Sequence, residues 1–166
     1  MTDYMKLAAL LFPDVEKTPE DYEAMYPERG LAEGARVTRF APSPTGFLHI
    51  GGLFAAYVAK LTADTTGGVF FLRIEDTDKK REVEDGVSGI VKGLSDFGVT
   101  MDEGVTGFEQ ETGAYGPYQQ SQRATIYHTY VKNLVEQNLA YPCFCSEEQR
   151  QAAREAQETA KDRTGY

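Results

Sequence analysis

What this sequence lacks narrows its class before any motif is read. It has only two cysteines, spaced as Cys143-Phe144-Cys145, which excludes a disulfide framework. Cysteines two apart on a strand face the same way, so this pair reads as reduced thiols or metal ligands rather than as a bridge. No apolar run approaches the roughly 20 residues that span a bilayer. The first apolar cluster, Leu7 to Phe12, is short and flanked by acidic residues, unlike a secretory signal. The expected compartment is therefore the cytoplasm, with no membrane partner. Positive charge is also in deficit. A formal net charge of −9 argues against a protein that coats nucleic acid, while leaving room for a local basic patch that grips one RNA. Much of the acidity sits in the first 34 residues, which are a poor RNA-binding surface. No repeat and no low-complexity segment is present.

What is there suits a folded soluble protein: 41% hydrophobic and 26% charged residues exclude a disordered chain. The pattern divides into three parts, residues 1–34, 35–112 and 113–166. The first reads as a helical hairpin packed on the main domain. Asp3 caps a helix carrying Leu7, Leu10 and Leu11, and Thr18-Pro19 with Asp21 starts a second. The middle part alternates strand and helix. Val37 to Ala41 is a short β-prone run. A helix from about Gly52 carries Leu53, Phe54, Tyr57, Val58 and Leu61 on a face expected to be buried, and stops at Gly67-Gly68. Val69 to Ile74 reads as a strand covered on both faces. A further helix carries Val83, Val87, Ile90, Val91 and Leu94. Strand, helix, strand, helix predicts an α/β nucleotide-binding sheet with right-handed crossovers. In the last part Ser121 is expected to cap a helix holding Ile126, Tyr127, Tyr130, Val131, Leu134 and Val135. Tyr141 to Cys145 is a candidate strand, and Ser146 with Gln149 opens a polar final helix. The close at Thr164-Gly165-Tyr166 reads as a cut in a longer chain.

The informative stretch runs from Arg39-Phe40-Ala41-Pro42-Ser43-Pro44-Thr45-Gly46 to His49-Ile50-Gly51-Gly52. A strand delivers a proline-braced loop, glycines admit a ligand to the backbone, and a helix then starts with its N–H groups and positive dipole end at the same spot. Such a place suits the phosphates of ATP. By spacing alone it reads equally as a tight strand-to-helix turn with a surface histidine.

The residues themselves resemble more than a turn. His49-Ile50-Gly51-Gly52 is similar to the first signature of class I aminoacyl-tRNA synthetases, and Arg39 to Gly46 resembles its bacterial glutamyl-tRNA synthetase form. Leu72-Arg73-Ile74-Glu75-Asp76-Thr77-Asp78 resembles that family's second strand and exit loop. Gly116-Pro117-Tyr118 with Gln120-Ser121-Gln122-Arg123 resembles its next landmark. The likeness covers Val37 to Cys145. It implies an α/β fold: a partial Rossmann-like domain with an N-terminal helical extension and the start of an inserted α/β acceptor-binding domain. It implies ATP-dependent attachment of glutamate to tRNA through glutamyl-adenylate.

By that resemblance Arg39 and Ser43 contact L-glutamate and Glu75 its amino group. On the residues alone they also read as a surface strand residue, a turn residue and part of a solvated acidic loop. Thr45, His49, Gly51 and Gly52 are expected at ATP, with His49 and Thr45 as the catalytic pair. Mg²⁺ is expected with ATP, without a dedicated protein cage. Tyr118, Arg123 and Lys132, with Tyr115, are the candidates for tRNA(Glu), although Gln119 departs from the basic residue that related sequences often place there. His128 is expected at the surface. Zinc is not expected, because Cys143 and Cys145 lack further ligands nearby and structural zinc takes four. The second class I signature, a Lys-Ser-Lys-rich loop, is absent. The chain is therefore expected to charge tRNA weakly or not at all alone, and to self-associate through an incomplete sheet where the whole enzyme is monomeric. A glutaminyl-tRNA synthetase fits less well, since that family usually carries Pro-Glu-Pro-Asn where Pro42-Ser43-Pro44-Thr45 stands. A tRNA-modifying glutamyl transferase usually brings a fuller zinc cluster. A truncated, non-catalytic binding module is the remaining alternative.

Overall fold

The alternation of β-prone and amphipathic segments folds into one mixed sheet flanked by helices. The structure, a computed structural model, describes residues 3–163, and Thr164-Gly165-Tyr166 lies outside them. Two short helices come first, α1 (Tyr4–Leu11) and α2 (Pro19–Met25). Asp3 caps α1 by accepting the Lys6 N–H at 3.1 Å. Thr18 and Asp21 cap α2 reciprocally, with Pro19 inside the first turn, where a missing N–H loses no bond. Both helices pack against α5 (Ala124–Glu136), so the hairpin rests on the third part of the chain and not on the helices of the sheet.

β1 (Val37–Phe40), α3 (Ile50–Thr66), β2 (Val69–Leu72), α4 (Gly86–Asp96), β3 (Glu103–Gly107) and β4 (Gln110–Thr112) follow in order. The first three strands pair in parallel and β4 returns antiparallel, giving the order β1-β2-β3-β4. Val37 stands opposite Val69 and Phe40 opposite Leu72. The carboxyl ends of β1 and β2 therefore finish side by side. Phe70, Leu72 and Ile74, with Ile90 and Leu94 of α4 and Val99 and Val105, are fully or almost fully buried. Each such side chain contributes about 2 kcal/mol by leaving water. Gly67 ends α3 at φ 66°, the left-handed turn that glycine adopts without strain. Gly68 is small for another reason: a Cβ there would lie 1.9 Å from the Arg36 carbonyl oxygen.

Several local expectations are corrected. On α3 the buried residues are Ala56 and Ala63, while Phe54 is 67% and Leu61 48% exposed. Thr38 Oγ1 donates to the Ala59 carbonyl at 2.7 Å, so helix and strand lie too close for large side chains between them. The second helix of the sheet starts at Gly86, leaving Val83 before it with its N–H on the Pro44 carbonyl at 2.9 Å. On α5 the buried positions are Ile126, Thr129 and Val135, and Tyr127, Tyr130, Val131 and Leu134 lie partly in solvent. Ser121 does not cap α5. It sits in a 3-10 turn, Gln120–Arg123, and its hydroxyl is committed to Asp76. Tyr141 to Cys145 forms no strand, because no neighbouring strand pairs with it among the described residues. Tyr141 and Phe144 stand 80% and 88% exposed. The final helix α6 (Glu147–Thr159) does open with the Ser146–Gln149 box.

Candidate active site

Parallel strands that end together bring Arg39 of β1 beside the loop that leaves β2. The ladder continues past both strands, with the Arg73 N–H on the Phe40 carbonyl at 3.0 Å and the Glu75 N–H on the Pro42 carbonyl at 2.9 Å. Glu75 Oε1 then lies 3.4 Å from Arg39 Nη1 and 3.9 Å from Arg73 Nη2. The Arg39 and Glu75 side chains are 49% and 33% exposed, and an ion pair this open contributes under about 1 kcal/mol. A ligand bearing both a carboxylate and an ammonium can therefore replace it with two better pairs, one on each residue. Arg73 Nη2 also donates to the Tyr127 hydroxyl at 2.9 Å, while its buried Nε has no partner.

The loop after β1 is held from two sides. Pro44 is fully buried and Gly86 lies close under it, where a Cβ would be 2.8 Å from the Pro44 carbonyl oxygen. His49 does more than precede the helix. It is the N-cap of α3, which begins at Ile50, and its Nδ1 accepts the Gly52 N–H at 3.3 Å. With Nδ1 as acceptor, the neutral ring carries its proton on Nε2, which is the atom left to donate to a ligand. Gly51 packs under this ring, since a Cβ there would lie 3.1 Å from it. A cleft of about 410 Å³ follows, lined by Ser43, Thr45, His49 and Gly52 with apolar Phe40 and Ile90 among the walls. Helix N–H groups, one ring donor and apolar walls suit an anion joined to a flat ring.

The structure thus gathers Ser43, Thr45, His49 and Gly52 in one cleft. Arg39 and Glu75 form a separate pair at the neighbouring strand ends, and Gly51 acts through His49. Neither that pair nor Gly51 lines the cleft. Sequence reading missed Arg73, which the two-residue period of a strand places on the same face as Glu75. It also missed Asp76, buried at 6% exposure. Asp76 accepts the Ser121 N–H at 2.8 Å and the Ser121 hydroxyl at 2.5 Å, with Lys79 Nζ at 3.4 Å. Burial pushes its carboxyl up, but the Ser121 bonds and the Lys79 charge outweigh that and leave it below the ordinary carboxylate range. An aspartate buried among acidic neighbours gives no sign of this in the sequence.

The residues expected to meet RNA have partners within the protein. Tyr118 is buried at 2% exposure and its hydroxyl donates to Glu103 at 2.7 Å. Burial first, and then that bond, push the phenol up to about 12. Arg123 Nη1 donates to the Pro117 carbonyl and Lys132 Nζ to the Val15 carbonyl, each at 2.7 Å. His128 is exposed, in ring contact with Phe12. Cys143 and Cys145 are exposed and not bridged to each other. Among the described residues no three His, Cys, Asp or Glu come together as a metal cluster.

Against known proteins, the family model described as tRNA synthetases class I (E and Q), catalytic domain, matches residues 36–166. The chain belongs to the class I (E and Q) tRNA synthetases. This synthetase chain is 54% identical over 154 residues to a glutamate–tRNA ligase of Clostridium perfringens, covering 93% of its own length and 28% of that relative. It is 52% identical over 163 residues to the Clostridium beijerinckii enzyme of the same name, covering 98% and 30%. The crystal structure of a glutamate–tRNA synthetase from Elizabethkingia anophelis superposes with a TM-score of 0.68 at 40% identity, over 81% of this chain and 26% of that one. The synthetase chain thus spans under a third of the length of these relatives. None of its described helices is long and apolar enough to cross a membrane.

Proposed function

We propose that this chain carries the portion of a cytoplasmic glutamate–tRNA ligase that binds L-glutamate and ATP and joins them as glutamyl-adenylate. The observation that carries the reading is the open Arg39–Glu75 pair at 3.4 Å, beside a helix start capped by His49. In this reading Arg39 and Ser43 take substrate carboxylate and Glu75 takes the ammonium. Thr45, His49 and the backbone at Gly51 and Gly52 take the nucleotide. A carboxylate oxygen of glutamate forms a bond to the α-phosphorus, and the bond from that phosphorus to the bridging oxygen breaks. Pyrophosphate departs with the electron pair, and no proton need move. The residues position the reactants and stabilise the charge that builds on the phosphoryl oxygens, through the His49 Nε2–H and the N–H groups of α3. Mg²⁺ accompanies ATP and is held chiefly by the phosphates. Transfer to tRNA(Glu) draws on the further length that the relatives possess.

Calorimetric titration of ATP into the chain tests the nucleotide half of this reading. Binding that His49→Ala weakens by about tenfold or more, the worth of one hydrogen bond to a charged group, is the expected outcome. Absence of ATP binding at millimolar concentration, or binding indifferent to His49, overturns it.

A further inference from the structure

Residues 1–35 lie outside the matched family model, yet the end of this extension grips a loop that reaches the glutamate pair. Three rings line up across the join, Tyr22 on Tyr26 and Tyr26 on Tyr115, each pair with centroids 6.3 Å apart. The Tyr26 hydroxyl donates to the Gly116 carbonyl at 2.6 Å, and the Tyr115 hydroxyl returns a bond to the Pro27 carbonyl at 2.8 Å. Arg29 stacks on the Tyr115 ring at 3.6 Å and forks onto both oxygens of Glu103, at 2.7 and 2.8 Å. Glu103 also accepts the Tyr118 hydroxyl. A stacked, bidentate arginine holds geometry that a lysine cannot reproduce.

The gripped loop is not remote from the site. The Tyr118 carbonyl accepts the Ile74 N–H at 3.0 Å, and the Ile74 carbonyl accepts the Gln120 N–H at 2.9 Å. Two residues on, Asp76 holds Ser121 by two bonds. Glu75 is thus the single residue between Ile74 and Asp76, the two points bonded to the segment that the extension clamps.

We infer that Tyr26 and Arg29 are positioning residues: they strap the Tyr115–Ser121 segment against Ile74 and Asp76 and so set Glu75 at the distance from Arg39 that the ammonium and side-chain carboxylate of glutamate require. The inference rests on the reading of Glu75 as the ammonium contact. It predicts a selective effect, because among the described residues the bonds of the strap run through Tyr118, Ile74, Gln120, Ser121 and Asp76 and not through Thr45 or His49. Loosening the strap weakens recognition of the amino-acid moiety and spares ATP.

The test uses the 166-residue chain with Arg29→Ala, Arg29→Lys and the milder Tyr26→Phe, which removes one hydroxyl. Amide exchange is followed at Ile74 and Ser121, with the Arg73 amide on β1 as the internal control. Arg29→Ala is expected to speed exchange at Ile74 and Ser121 by about tenfold or more and to leave Arg73 unchanged. Tyr26→Phe should do so by a smaller factor, and Arg29→Lys should restore little. A non-hydrolysable glutamyl-adenylate analogue should bind about tenfold more weakly to Arg29→Ala, with ATP affinity as in the parent. Unchanged exchange at Ile74 and Ser121 overturns the strap, and so does an equal loss of analogue and ATP binding. If even the parent chain ignores the analogue while exchange responds as stated, the glutamate reading fails and the mechanical link stands.

Discussion

Replacing Asp76 by alanine removes one of the few buried charges in the fold, and its cost follows from the bonds it makes. Its carboxylate is 6% exposed and accepts the Ser121 N–H at 2.8 Å and the Ser121 hydroxyl at 2.5 Å. Hydrogen bonds to a charged group contribute about 1.5–3 kcal/mol each, and a buried donor left unpaired adds to the loss. The two bonds share one partner residue and do not add fully. We therefore expect Asp76→Ala to lower the unfolding free energy by about 3 kcal/mol at pH 7. Asp76→Asn keeps one acceptor oxygen and should lose about half as much. The carboxyl is held below its usual range in the folded chain. Its contribution is therefore full above the unfolded value near 4 and is lost as pH falls through the lower, folded one. Urea unfolding monitored from pH 7 to pH 3 reads both effects. The parent should show a steeper acid limb than Asp76→Asn. Parallel limbs, or a loss under 0.5 kcal/mol for Asp76→Ala, refute the reasoning.

Other outcomes follow from single contacts. His49→Ser retains a good N-cap and His49→Ala does not, so thermal unfolding should place only alanine about 1 kcal/mol below the parent, while both weaken ATP binding. Tyr118 is pushed up to about 12, so its share of stability is whole below pH 10 and is lost as pH rises from 10 through 12. That loss, on the order of 2 kcal/mol, should shrink in Tyr118→Phe, and an unchanged alkaline limb counts against it. Gly104 has φ 119° and a Cβ there would lie 2.2 Å from the Leu72 carbonyl oxygen. Gly104→Ala should cost about 3 kcal/mol or more; a loss under 1 kcal/mol in denaturant would contradict the close approach of β3 to β2.

The features that local chemistry controls were legible in the residues. Asp3, Thr18 and Ser146 announced helix starts because a side-chain oxygen three residues before a free N–H has one use. The turn from Phe40 to Gly52 stood out because proline and glycine limit the backbone there. Arg39 on the first β-prone run and Glu75 just after the second were legible because both runs stand out in composition. What was not legible depends on partners far along the chain. The large apolar side chains of α3 suggested the buried face, but the distance to β1 selected Ala56 and Ala63 instead. Tyr141 to Cys145 has strand-like composition and no strand beside it. The partners of Tyr118, Arg123 and Lys132, which are Glu103, Pro117 and Val15, were likewise not legible. The contact of Arg29 with Glu103 joins residues 74 positions apart, and no periodicity records it.

The central claim is that Arg39, Ser43, His49 and Glu75 already form a site for glutamyl-adenylate within these 166 residues. Calorimetric titration of the folded chain with a non-hydrolysable glutamyl-adenylate analogue, with the glutaminyl analogue as control and Arg39→Ala beside the parent, tests it most directly. The account predicts that the glutamyl compound binds in preference to the glutaminyl one, and that Arg39→Ala abolishes the preference without moving the melting temperature. Equal affinity for the two compounds, preference for the glutaminyl one, or no binding of either would contradict it.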